Sequence, residues 1–212
     1  MAVFGLMVAV ILSTGNMPSL NPGHPLVTTA EIVSYGAAGW FALWRLSAIG
    51  RSPFRSLHRS DVRAILIGVA VIFLIRIGMA IQLVVTHETD HVQSGFEHFD
   101  VVAKLPNVTL LGATLAVISM VVVAPIVEEI VFRGLLFGAL APRIGVIAAA
   151  LLSALAFGAV HGDAILFPTL AALGFVSAIA YAATGNLWVS VTLHAFNNAI
   201  GAVFLITTSL HH

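Results

Sequence analysis

Long apolar runs separated by short polar breaks set the rhythm of this chain. A helix that spans a bilayer needs about 20 predominantly apolar residues, and the runs group near that length. Val3–Leu12 is short for a span and reads as a partial one. Ser13–Pro25, with its prolines, glycines and asparagines, reads as a loop. Thr28 or Thr29 is placed to cap a helix from Ala30 to about Leu46, with Glu31 in the first turn where the dipole favours an acid. Ala37, Ala38 and Gly39 suit close helix contact. Val62–Thr86 predicts the next span, with Arg76 inside it, able to snorkel or to pair with an acid on a neighbour. Val108–Ala124 re-enters the membrane and runs through Pro125 into a helix reaching about Leu140. Pro142, Arg143 and Gly145 mark a turn. Val146–Val160 follows, broken at Gly162–Asp163. Phe167–Thr184 is a further span, with Gly174, Ala178 and Ala182 at four-residue spacing. Gly185–Asn186 turns the chain into Leu187–Thr208. The pattern predicts an all-α integral membrane protein, a bundle of about seven transmembrane helices. It forms one polytopic domain over residues 1–212.

Two polar stretches orient that bundle. Arg45–Arg63 holds Arg45, Arg51, Arg55, Arg59 and Arg63, so the positive-inside rule makes this loop cytoplasmic. A solvated orientation signal is enough to explain all of them. His87–Lys104 carries histidines and acids with a single lysine and reads as a hydrated loop on the outer face.

Composition strengthens the membrane reading. The 212 residues are 59% hydrophobic and 8% charged, with a mean hydropathy of +1.06, whereas a soluble domain carries about 25% charged residues. Formal net charge is zero, so no basic surface argues for nucleic acid. The chain has no cysteine, which excludes disulfides, thiol catalysis and thiolate metal sites. The first residues lack a basic n-region, so they read as a membrane segment rather than a signal peptide. The compact Ala/Val-rich spans fit a prokaryotic cell membrane.

Against that background the segment Pro125–Gly138, PIVEEIVFRGLLFG, stands out. It places two adjacent acids and an arginine in an apolar run, and ionisable residues at membrane depth are costly and usually functional. On a helix Glu129 and Arg133 are four apart and share a face, acid first, which is the favoured order. Glu128 lies about 140° from Arg133. Arg133 therefore neutralises Glu129 and leaves Glu128 as the freer carboxylate, the condition for a general base. A closed ion-pair network that merely fixes the bundle is the competing reading. Two later segments bring further polar groups: Phe157 and His161 share a face, as do His194 and Asn198. Counted along the helices, His161 lies deeper than His194. The depths agree if the helices around Pro142 project beyond the bilayer, or if His161 sits at a broken helix end. Together these residues supply a base, two groups able to bind metal or polarise a carbonyl, and an amide donor, the parts needed for water attack on an amide.

Here the chain resembles the CAAX-protease and bacteriocin-processing family of intramembrane proteases, also called the Abi family. The resemblance lies in PIVEEIVFRGLLF (EExxxR), FGAVH (FxxxH) and NLWVSVTLHAFNN (HxxxN), in that order, over about Ala124 to Ala199. It implies that Glu128 is the general base that activates water, that Glu129 and Arg133 support it, that His161 and His194 are essential, and that Asn198 is a candidate oxyanion donor. It leaves open a zinc ion held by Glu128, His161 and His194, with Glu129 as a further candidate ligand, or a metal-free glutamate mechanism. Two histidines and a carboxylate make an acceptable catalytic zinc set, but the HExxH signature is absent. The expected function is an intramembrane endopeptidase acting on a peptide or membrane-protein substrate, with a prenylated CAAX peptide as one candidate. The alternatives are a non-catalytic bacteriocin-immunity or scaffold protein of the same fold and a proton-coupled transporter. The latter lacks the internal repeat that transporters often show. Oligomeric state is left open.

Overall fold

In a computed structural model, residues 25–48, 53–86 and 110–209 are described, and among them every regular element is helical. The elements are α1 (Pro25–Ala48), α2 (Arg59–Thr86), α3 (Leu110–Ile118), α4 (Ala124–Glu129), α5 (Gly138–Ile144), α6 (Val146–Val160), α7 (Phe167–Thr184) and α8 (Leu187–Ser209). Two π-helical stretches, Ser119–Val123 and Ile130–Phe137, join α3 to α4 and α4 to α5. The expected segments Val3–Leu12, Ser13–Pro25 (save Pro25 itself) and His87–Lys104 lie outside the described residues. So does the side chain of Glu31.

The all-α expectation holds, and the bounds of α6 and α7 fall where the pattern put them. Three departures have physical causes. Helix α1 already runs through Thr28 and Thr29, so neither caps it; a branched threonine lowers helix propensity only slightly and is accommodated inside the helix. The run through the EExxxR segment is not a uniform α-helix but widens twice into π geometry, a rare form that is frequent at functional sites. Finally, α5 continues through Pro142 and stops at Gly145, whose φ of 83° is open to glycine and strained for other residues.

Among the described residues, three helices are long and apolar enough to cross a membrane: Arg59–Thr86, Thr114–Ile144 and Phe167–Thr184. Val146–Val160 is a shorter apolar helix. The expected count of about seven spans is therefore not reached among the described residues by length and composition. The chain is nonetheless a membrane protein. Leu66, Leu74, Ile81 and Val85 of α2 leave most of their surface outside the packed core, as residues facing lipid must.

Inside, small residues let backbones approach. A Cβ on Gly174 would lie 3.0 Å from the Ala154 Cα, so α6 and α7 pack as a tight pair. A Cβ on Gly39 would meet the Val127 side chain at 3.0 Å, which brings α1 against the acid-bearing turn. Of the small-residue stripe on α7, Gly174 and Ala178 are buried and Ala182 is exposed. Around these contacts Ile130, Phe132, Phe157, Leu173, Leu187 and Leu193 form the apolar core.

The arginine-rich loop is more than a solvated signal. Arg55 grips the buried Asp61 with two hydrogen bonds of 2.8 and 2.9 Å and donates to the Thr184 carbonyl at 2.7 Å. Asn186 answers with a hydrogen bond to the Arg55 carbonyl at 3.2 Å. The loop before α2 is thus tied to the α7–α8 turn. Arg59 and Arg63, by contrast, are exposed as expected.

Candidate active site

The second acid organises the site. Glu129 is fully buried and lies 3.1 Å from the Arg133 Nε, the pairing that the four-residue spacing predicted. The contact is close but not aligned as a hydrogen bond, since both atoms lack a hydrogen-bond partner. Arg133 is itself fully buried, donates to the Gly174 carbonyl at 3.1 Å, and sets its guanidinium 4.7 Å from the centre of the Phe157 ring. A buried charge needs such partners, because desolvation removes its water.

The other oxygen of Glu129 meets α8. His194 Nδ1 lies 3.0 Å from Glu129 Oε1. A carboxylate only accepts, so Nδ1 carries the proton and the ring is held in one orientation. That leaves Nε2 turned toward Glu128, 3.7 Å from its Oε2. This distance is too long for a direct hydrogen bond and is a separation that one water molecule can bridge. Glu128 is 9% exposed, its Oε2 has no hydrogen-bond partner, and its Oε1 lies 3.5 Å from the Tyr35 hydroxyl of α1. The structure therefore separates the two acids as the helical geometry predicted: Glu129 is spoken for, Glu128 keeps an unpaired oxygen.

His161 caps α6 at its C-terminus, where Gly162 adopts a φ of 70° and breaks the helix. It thus stands at a broken helix end, one of the two resolutions of the depth mismatch. Its Nδ1 lies 2.7 Å from the Phe157 carbonyl, which again fixes Nδ1 as the donor and leaves Nε2 available. Phe157 joins the two histidines: its ring centre lies 4.8 Å from that of His161 and 5.3 Å from that of His194. The motif phenylalanine is a fully buried wall of the site.

Asn198 lies one turn beyond His194. It donates to the Met120 carbonyl at 2.9 Å and accepts from Asn197 at 3.1 Å. Met120 belongs to the first π stretch, where the wider turn perturbs the regular hydrogen-bond ladder. Sequence reasoning missed Asn197 and Tyr35. The doubled asparagine was a visible signal for the first; the second acts from a helix far away in the chain and left none. Arg76 pairs with no acid among the described residues. It donates instead to the Asn197 side chain at 3.0 Å and to the Asn197 carbonyl at 2.9 Å.

The donor set does not fit the zinc expectation. Among the described residues no group of three His, Cys, Asp or Glu lies close enough together to hold a metal ion. Glu128 and His194 approach each other, but His161 does not complete a triad with them. A cleft of about 500 Å³ lined by Phe54, Arg55, Leu57, Trp188 and Thr192 shares no residue with this site.

Residues 110–200 match the family described as type II CAAX prenyl endopeptidase Rce1-like. YdiL of Bacillus subtilis (strain 168), a provisionally named membrane peptidase, is 39% identical over 84 residues, covering 40% of this chain and 34% of that protein. The match thus spans about a third of the length of that curated relative. No solved structure matches the chain. All of Glu128, Glu129, Arg133, His161, His194 and Asn198 fall inside the matched segment, which spans less than half of this chain.

Proposed function

We propose that this chain is an intramembrane endopeptidase and that Glu128 is its base. One observation carries the reading: the buried His194 stands between two glutamates, bonded to one and 3.7 Å from the free oxygen of the other. A water held between Glu128 Oε2 and His194 Nε2 gives its proton to Glu128 as its oxygen attacks the scissile carbonyl carbon. The oxyanion is stabilised by the second amide hydrogen of Asn198, the first being used on Met120. The C–N bond then breaks, and the Glu128 carboxyl returns the proton to the departing amine. Glu129 and Arg133 hold His194 in place. His161, with Nδ1 engaged, presents Nε2 to the peptide. The substrate is a peptide segment at the membrane. The family description makes a prenylated carboxyl-terminal peptide the first to try.

The test is cleavage of a quenched peptide library by the purified chain in liposomes, beside H194A and with and without a chelator. Cleavage that is lost in H194A and survives the chelator is expected. A folded chain that cleaves nothing would move the weight to a binding or immunity role, and chelator-sensitive cleavage with stoichiometric zinc would overturn the metal-free step.

A further inference from the structure

We infer that Arg76 is a positioning residue of this site, one that fixes the Asn198 side-chain amide through Asn197. The inference rests on the endopeptidase reading and extends it beyond the family-matched residues, since Arg76 lies on α2, outside the segment 110–200.

The direction of the hydrogen bonds carries it. A guanidinium has only donors, so the Asn197 atom 3.0 Å from Arg76 Nε must be the amide oxygen. That turns the Asn197 NH2 group away from Arg76 and toward Asn198, which it meets at 3.1 Å. Asn198 must then offer its oxygen to Asn197 and its own NH2 group to the far side. There it meets the Met120 carbonyl at 2.9 Å, which only accepts. The relay is closed by a pure donor at one end and a pure acceptor at the other, so neither amide is free to flip. The second Asn198 N–H remains for the substrate carbonyl.

Two further features favour this over simple packing. A long arginine on a lipid-facing helix can satisfy itself by reaching the interface. Arg76 instead bends inward and makes two hydrogen bonds to one residue, one of them to the backbone of the helix that carries His194. Among the described residues it has no carboxylate partner, and its Nε and Nη2 donors are spent on Asn197. Hydrogen bonds in a chain polarise one another, and a cation at the head of this one strengthens the outermost N–H as a donor to developing negative charge.

The experiment combines kinetics with NMR on the full-length chain in detergent. R76M is expected to lower kcat by about 10- to 100-fold, less than the 10²–10³ typical of deleting an oxyanion donor outright, with KM changed by no more than about twofold. R76K, which keeps charge and donors, is expected to recover part of the loss. N197A, which cuts the relay with Arg76 intact, is expected to mimic R76M and guards against a variant that fails to fold. R76M/N198A is expected to be no slower than N198A alone, because both act through one amide. With [15N]asparagine labelling, the Asn198 side-chain NH2 signal, assigned by its loss in N198A, is expected to move in R76M and return toward its place in R76K. Unchanged kcat in R76M, or additive losses in the double variant, overturns the inference whether or not the signal moves. A folded wild-type chain that cleaves no peptide removes the endopeptidase reading instead. In that case an Asn198 signal that stays put in R76M overturns the positioning, and one that shifts upholds it.

Discussion

Glu128 and Glu129 are chemically identical neighbours with opposite circumstances. Glu129 is enclosed by Arg133 and His194; Glu128 meets a distant tyrosine hydroxyl and the far nitrogen of the same histidine, and keeps one oxygen without a hydrogen bond. Their glutamine variants should therefore fail differently. E129Q leaves Arg133 as an unpaired buried charge, and losing one partner of a buried pair costs about 3–5 kcal/mol. A large drop in melting temperature is expected along with lost activity, and a wild-type melting curve for E129Q would contradict the pairing. E128Q removes no enclosed partner, so its melting temperature should stay close to wild type. The Glu129–Arg133 pair was legible in the sequence, because a four-residue spacing is a local property of a helix. That His194 would bridge both acids was not, since it depends on how α8 docks against α4. Arg76 shows the same limit: the sequence marked it as needing a partner, and packing chose an asparagine over an acid.

At the scale of elements, the two π stretches are the feature that periodicity missed. Apolar residues surround the whole segment, so no stripe is displaced when the helix widens, and the pattern looks like an ordinary span. Each stretch carries a carbonyl bonded by a side chain from a neighbouring helix: Asn198 bonds Met120, and the buried Ser153 donates to Phe132 at 2.9 Å. Leaving a buried acceptor unpaired costs about 1–3 kcal/mol. S153A should lose stability of that order, read as a lower melting temperature in detergent, and an unchanged value would show that the bond is not needed to hold the wide turn. The α6–α7 contact makes a second demand. Any side chain at Gly174 would press on the Ala154 backbone at 3.0 Å and disturb the carbonyl that Arg133 uses. Overpacking of this kind costs typically 1–3 kcal/mol, so G174V should lower both melting temperature and activity. The small residues stood at four-residue spacing in the sequence, which did not say which helix the contact would meet. Activity and stability equal to wild type would refute it.

Over the whole molecule, the matched segment is not the whole site. Residues 110–200 hold all the motif residues, yet Tyr35 reaches Glu128 from α1, Arg76 reaches Asn197 from α2, and the Arg55–Asp61 pair clasps the turn that launches α8. A chain beginning at residue 110 is therefore expected to fall well short of full-length activity even when it inserts in membranes. Full activity of that fragment would show α1 and α2 to be dispensable. The sequence made the all-helical membrane architecture legible through its composition and the lengths of its apolar runs. It could not show which helices close around the acids, because lipid-facing and core-facing surfaces are equally apolar.

The proposed hydrolysis depends on Glu128. The most direct measurement is the single-turnover rate of peptide cleavage by E128Q and wild type in the same liposomes, with melting temperatures taken on the same preparations. General-base catalysis contributes about 10²–10⁴ in rate. A loss of that size at an unchanged melting temperature is the predicted result, and an E128Q chain that cleaves at the wild-type rate would contradict it.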